Sequence, residues 1–446
     1  MSDDELETHE SDRQDHNPQP RYASLQQWLS WMETLHPSEI ELGLERVGEV
    51  ARRLGFEPLM SARGENQSHP QLVSIAGTNG KGSCVAALEQ LLINSGAAVG
   101  AYTSPHLLAY NERIKINGQW VSDEQLCEAF ARIDQARGDI SLTYFEFGTL
   151  AAFELFRSAG VDYWLLEVGL GGRLDAVNSL WPDIAVLTSI ALDHEQWLGF
   201  DREKIGMEKA GILRPGIPFV CAELTPTNSV MNAVREHQVS HYQIERSFGF
   251  QISGARPAMF VSTADRQHVL PLNFEMKLPA ASLAAASQVF ALLGFELTAE
   301  LLAAGLADLT LPGRYFSVAD GTRRLILDVA HNPAATEYLA SKIHQDETLQ
   351  KPAAVVAMMA DKDIRTALQP LVHLIGHWYP VTLDSIGRAA SRRQLADHLR
   401  SLGVAPENIT ECDSVTSALS MFDGDGVVFG SFYTVADAML ALQKIQ

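Results

Sequence analysis

Apolar residues along this chain come in short β-rich runs separated by longer amphipathic stretches. LVSIA (72–76), VDYWLLEV (161–168), DIAVLTSI (183–190) and PFVCAE (218–223) each read as a strand, with GAYTS as a further short one. Helical patterns fill most of the gaps. That rhythm predicts a parallel sheet covered by helices. Between 240 and 275 the pattern turns to alternation, in YQIERSFGFQISG and AMFVSTADRQHVLPLNF, and predicts a small antiparallel sheet flap. An alanine-rich helix over 281–294 follows, and LTLPGRYF (309–316) reads as a connector. A second set of strands then begins: LILDVA (325–330), AAVVAMM (353–359), HWYPVTL (377–383) and GVVFGS (426–431). The pattern therefore predicts two α/β domains joined near residue 312, without internal repeats.

Composition narrows what such a chain can do. Its 446 residues are 46% hydrophobic and 20% charged, enough apolar material for large cores. A net charge of −21 argues against nucleic acid or an anionic membrane as the main partner, so an anionic substrate needs a local basic or metal-filled pocket. Cys84, Cys127, Cys221 and Cys412 show no CxxC spacing, which points to neither a zinc site nor a disulfide framework and fits the cytoplasm. No apolar run approaches a membrane span. Residues 1–20 are acidic and polar where a signal peptide is basic and then apolar, and they read as a disordered tail.

The strongest chemical signal is Gly77-Thr78-Asn79-Gly80-Lys81-Gly82-Ser83, between a strand and a helix. Glycines let backbone N–H groups approach a ligand closely, a helix N-terminus supplies partial positive charge, and Lys81 adds a full one. This is the chemistry of a phosphate cradle. The literal GxxxxGK[ST] pattern is not met, because Ile75 stands at its first glycine and Gly82 separates Lys81 from Ser83. A tight strand-to-helix turn that needs glycine accounts for the loop nearly as well. Ser104, Glu167 and His194 also fall just past strand ends, beside Gly169, Gly171, Gly172 and Asp193. A parallel sheet gathers such residues in one crevice with Lys81. Oxygen and imidazole ligands of that kind suit Mg²⁺ that keeps waters and phosphates in its shell.

With LHPSEIELGLERV (35–47), SIAGTNGKGS (74–83), YTSPHL (102–107), NERI (111–114), LLEVGLGGRLDAVN (165–178), TSIALDHEQWLG (188–199), EKAGI (208–212), LPGR (311–314), DVAHNP (328–333), DKDI (361–364) and GSFYT (430–434), the chain resembles the dihydrofolate synthase/folylpolyglutamate synthases of the Mur ligase superfamily. The resemblance runs from about Leu25 to the C-terminus. It implies an N-terminal domain over 21–311 with a P-loop ATPase-like parallel sheet, and a C-terminal Rossmann-like domain over 312–446. By position it implies that Thr78, Asn79, Gly80, Lys81, Gly82 and Ser83, with Arg314, Asp328 and His331, hold ATP. Ser104, Glu167 and His194 then ligate magnesium, two ions in all. Thr143, Tyr144, Phe145 and Glu146, with Leu174, Asp175 and Ala176, hold the pterin substrate. Lys81, Lys209 and His194 are the catalytic set, Lys209 as a carbamate. From its residues alone Lys209 is a helix lysine able to pair with Glu203 or Glu208. One position departs from the family pattern: Ala280 stands where an asparagine usually contacts ATP.

The implied reaction joins L-glutamate to dihydropteroate, and to folates, in a cytoplasmic monomer with no nucleic-acid or membrane partner. A Mur-type ligase of cell-wall precursors is the alternative, since it shares the loop and the metal ligands. Such an enzyme should carry a uridine-nucleotide domain ahead of the loop, where about seventy residues precede Gly77.

Overall fold

The structure, a computed structural model, describes residues 21–38, 40–62, 69–253 and 256–443. The expected tail over 1–20 lies outside the described residues. β1 (Gln71–Ala76), β2 (Val99–Tyr102), β3 (Ile114–Ile116), β4 (Gln119–Trp120), β5 (Tyr163–Glu167), β6 (Ile184–Leu187), β7 (Pro218–Cys221) and β8 (Ser240–Gln243) form an eight-stranded sheet ordered β4-β3-β2-β5-β1-β6-β7-β8. From β2 to β8 in that order all neighbours are parallel. The β3–β4 hairpin is antiparallel at the edge. It turns at Asn117 (φ 51°) and Gly118 (φ 78°), an Asn-Gly pair suited to the left-handed region and a hairpin signal the hydrophobic pattern had passed over.

Period-two burial divides this sheet between two cores. Leu72, Ala76, Tyr102, Leu166 and Leu187 face one. Val73, Ile75, Ala101, Leu165 and Val186 face the other, where the helix Lys81–Asn94 lies against the alanine-rich helix Ala280–Leu292. Strands buried on both faces must be apolar throughout, which is why they stood out as continuous runs.

The 240–275 expectation needs correction at its start. Ser240–Gln243 does not belong to the flap: it follows the helix Asn228–Glu236 and pairs in parallel with β7. As the edge strand of its sheet it is only partly covered, from exposed Ser240 to buried Gln243, so it shows none of the continuous apolar run that marks the central strands. The flap itself is β9 (Gly249–Ser253), β10 (Arg256–Ser262) and β11 (Gln267–Pro271), antiparallel throughout.

The second large sheet runs β12-β13-β16-β14-β15, from β12 (Phe316–Asp320), β13 (Arg323–Asp328), β14 (Ala353–Val356), β15 (His377–Pro380) and β16 (Gly426–Phe429). Only β12 is antiparallel to its neighbour. Ile326, Ala354, Val427 and Phe429 enter one core, and Leu325, Leu327, Val355 and Val428 the other. Beyond β13, Asn332 caps the helix Pro333–Gln345: its side chain accepts from Ala335 N at 3.0 Å, and proline occupies the first helical position. The carboxyl ends of β1, β5, β6 and β13 all meet at one cleft between the two large sheets.

Candidate active site

The cleft encloses about 390 Å³ and is bordered by the loop after β1, the ends of β5 and β6, and the loop after β13. Its floor is the glycine loop. Gly77 (φ 154°) and Gly80 (φ 87°) hold conformations that side chains rarely adopt. A Cβ at Gly77 would collide with Thr188 Oγ1, and one at Gly80 would lie 2.5 Å from Ser282 Oγ. The loop is also stitched to residues 188–191. Thr188 Oγ1 and Ser189 Oγ donate to Asn79 O at 2.7 and 3.0 Å, and Thr78 Oγ1 donates to Ala191 O at 3.1 Å. Its shape is therefore set before any ligand arrives. Gly80→Ala is expected to weaken ADP binding by about tenfold or more, through backbone strain of order 1–3 kcal/mol, with equilibrium titration as the check.

Lys81 opens the helix after the loop and points Nζ back over it, 3.1 Å from Gly77 O and 4.0 Å from Glu167 Oε1. Ser83 Oγ is fully buried without a hydrogen-bond partner among the described residues, which suits a site completed by an outside group. Ser104 N donates to Glu167 Oε2 at 3.3 Å. Burial raises the Glu167 carboxyl above its ordinary value, opposed mainly by Lys81. His194 adopts φ 51° at the start of a short helix. Burial, with Lys362, His331 and Lys81, brings its imidazole down to about 4 against the pull of Asp193, so it is neutral at pH 7, the ligand form. No group of three or more His, Cys, Asp or Glu among the described residues forms a ready metal cage. One serine, one glutamate and one histidine beside a phosphate loop do fit a cation that keeps most of its shell in water and phosphate.

The second sheet supplies the roof. Asp328 accepts from Tyr315 N at 2.7 Å and Ala330 N at 2.8 Å, and burial raises its carboxyl. Arg314 is held over the Phe432 ring at 5.2 Å. His331 bonds Val329 O through Nδ1 at 2.8 Å and Asp193 Oδ2 through Nε2 at 3.2 Å. Ala280, at the departure from the family pattern, is the first residue of its helix and follows Pro279, which gives no side-chain cap.

A larger cavity of about 750 Å³ adjoins the cleft, sharing Ser104, Pro105 and Gly169 with it. All of Thr143, Tyr144, Phe145, Glu146, Leu174, Asp175 and Ala176 line it. Two of them are committed to the fold: Glu146 N donates to Thr143 Oγ1 at 3.2 Å and Thr143 N to Glu146 Oε2 at 2.7 Å, a capping box for the helix Tyr144–Ala159. Asp175 accepts from Leu170 N at 2.8 Å and Val177 N at 3.0 Å, and burial lifts its carboxyl to about 7. A Cβ at Gly169 would meet the Phe145 ring at 2.5 Å, so the glycine-rich segment after β5 leaves room for that ring. Sequence reasoning missed Arg113 here, buried against Tyr144 at 5.5 Å and bonded to His106 Nδ1 at 2.8 Å; NERI carried it, but nothing local signalled a cavity wall.

Lys209 borders neither cavity. Its helix runs Arg202–Ala210 with Asp201 as N-cap. The surface pairing is overturned: Glu203 accepts from Asn228 N and Ser229 N, and Glu208 pairs with Arg173 at 2.9 Å. Lys209 is buried, and burial together with Lys81 lowers its amine to about 7.

A glycine-rich strand-to-helix loop, with a serine, a glutamate and a histidine beside it and a second cavity adjoining, suits an ATP-dependent, amide-bond-forming ligase of the Mur type, and residues 313–430 match the family model "Mur ligase, glutamate ligase domain". The dihydrofolate synthase/folylpolyglutamate synthase of Escherichia coli is 40% identical over 421 residues, covering 94% of this chain and 96% of that protein. The solved E. coli FolC in complex with DHPP and ADP superposes with a TM-score of 0.85 at 38% identity, over 96% of this chain and 99% of that one. The bifunctional Yersinia pestis enzyme complexed with AMPPNP and Mn gives a TM-score of 0.84 at 41% identity, over 96% and 100%. This chain belongs to the dihydrofolate synthase/folylpolyglutamate synthase family. It is an ATP-dependent, amide-bond-forming ligase. Among the described residues no helix is long and apolar enough to cross a membrane.

Proposed function

We propose that this enzyme ligates L-glutamate to 7,8-dihydropteroate and extends folates with further glutamate, through an acyl phosphate. The observation that carries the reading is the pair of adjoining cavities, which lets a carboxylate from the larger one reach a phosphoryl group held on the glycine loop. The full-length relatives are folate enzymes, which disfavours the cell-wall alternative.

A carboxylate is a poor acyl donor at neutral pH, so it first takes the γ-phosphoryl group of ATP; the glutamate amine then attacks the acyl carbon and phosphate leaves. Thr78–Ser83 orient the phosphates, and Lys81 meets the charge that grows on the transferring group. Arg314, Asp328 and His331 close over the nucleotide and exclude water from the acyl phosphate. Ser104, Glu167 and His194 would hold a divalent cation, which supplies Lewis-acid neutralisation of the phosphate oxygens. Thr143–Glu146 and Leu174–Ala176 hold the pterin end. Two magnesium ions, a carbamate on Lys209, a monomeric state, the cytoplasm and a domain division at 311/312 complete the reading. The family match beginning at 313 supports that division, and the low amine value supports the carbamate.

The test is an end-point assay with ATP, Mg²⁺ and L-glutamate, offering dihydropteroate and tetrahydrofolate separately and weighing the products. ATP turnover without glutamate, or no product from either acceptor, rejects the reading. Within it, Asp175→Ala and Phe145→Ala should depress the dihydropteroate reaction by about 10–100-fold, through lost hydrogen bonding and contact, and folate extension by less. Equal losses would remove these residues from the pterin site.

A further inference from the structure

We infer that Asp193 is a positioning residue that docks the second sheet onto the phosphate loop. Its carboxylate is filled from both sides of the cleft. His194 N and Lys362 Nζ reach Oδ1 at 2.8 and 2.5 Å, while His331 Nε2 and Asn332 Nδ2 reach Oδ2 at 3.2 and 3.0 Å. Three of these four donors come from the loops after β13 and β14. Beside them Asn79 and Asn332 exchange side-chain amide bonds, each 3.1 Å. The segment leading to the acid is anchored, because Thr188, Ser189 and Ala191 are bonded to Thr78 and Asn79.

The arrangement separates docking from other roles for this acid. Four contacting nitrogens on two oxygens leave little room for a metal ion, and the acid is buried, where an ion pair is not dispersed by solvent. The loop it grips carries Asp328 and His331, so the Asp193 network sets where those groups stand relative to Lys81. Asn332, which also caps the helix Pro333–Gln345, and Lys362, flanked by two acids in DKDI, are both parts of it.

This inference rests on the ligase reading, and the parent enzyme assayed alongside tests that reading separately, since its failure would leave the parent inactive. Asp193→Asn keeps the shape and removes the charge. Turnover should fall about 100-fold, as for a misplacement of order 1 Å, while Mn²⁺ affinity changes by less than about threefold. Lys362→Met should also be slow, and the double variant no slower than the slower single, because both break one network. The inference is overturned if folded Asp193→Asn turns over within about threefold of the parent, if Mn²⁺ affinity falls in step with turnover, or if the two losses multiply. Should Asp193→Asn fail to fold, Lys362→Met decides alone, and normal turnover there overturns it.

Discussion

Replacing Lys81 with alanine should leave a folded protein whose ligase turnover is lower by about 10²–10³-fold, the loss typical of removing one preorganised electrostatic group. The fold has little at stake. Among the described residues Lys81 Nζ donates only to Gly77 O and, at 3.4 Å, to Thr78 O, and its 4.0 Å approach to Glu167 is a loose ion pair. The chemistry has much more at stake, because Lys81 is the full charge on the loop itself while the other loop groups offer partial charges. Glu167 would also lose its main opposing charge, and its carboxyl would rise further. Stopped-flow or end-point turnover, read against a denaturant midpoint, distinguishes the outcomes. Near-parent turnover would remove Lys81 from the catalytic set, and a collapse in midpoint would make it a structural residue.

Lys209→Ala should be nearly inactive and partly recover with added short carboxylates. A lysine ammonium beside bound metal would be repelled, whereas the neutral amine takes up carbon dioxide, releases a proton and becomes an anion. An amine brought down to about 7 by burial and Lys81 is substantially neutral at physiological pH. The same shift has a stability signature with a definite sign. In the unfolded chain this lysine titrates near its ordinary value, so between about pH 7 and 10 the unfolded state binds the extra proton and stability rises with pH. Lys209→Met should flatten that rise, measured as denaturant midpoint against pH in carbon-dioxide-free buffer. Restoring bicarbonate should then raise the turnover of the parent and leave the variant unchanged. Parent-like activity in Lys209→Ala would sink the carbamate.

What the sequence determined by itself was local or periodic. Continuous apolar runs marked β1, β5, β6, β13 and β16 because strands covered on both faces admit little else. Glycines at 77 and 80 marked the phosphate loop because its backbone needs left-handed conformations and close approach. Asp201 and Asn332 cap their helices by a local interaction, each side chain accepting from the backbone N–H three residues on. Carboxyl-end placement even collected Ser104, Glu167 and His194 around one cleft, since a parallel sheet delivers its loops to one edge.

Tertiary structure decided what depends on groups far apart in the chain. Ser240–Gln243 joined the parallel sheet through its pairing with Pro218–Cys221, which its own polar sequence SHYQ does not signal. Lys209 was withdrawn from Glu203 and Glu208 because each acid found a partner elsewhere, 25 or more residues from it in sequence. The grip of Lys362 and His331 on Asp193 spans 169 and 138 residues, and the contact of Asn79 with Asn332 spans 253. No periodicity or cap encodes such pairings. They arise where the two large sheets bring their carboxyl edges together, and burial there makes each unpaired polar group costly enough to select its partner.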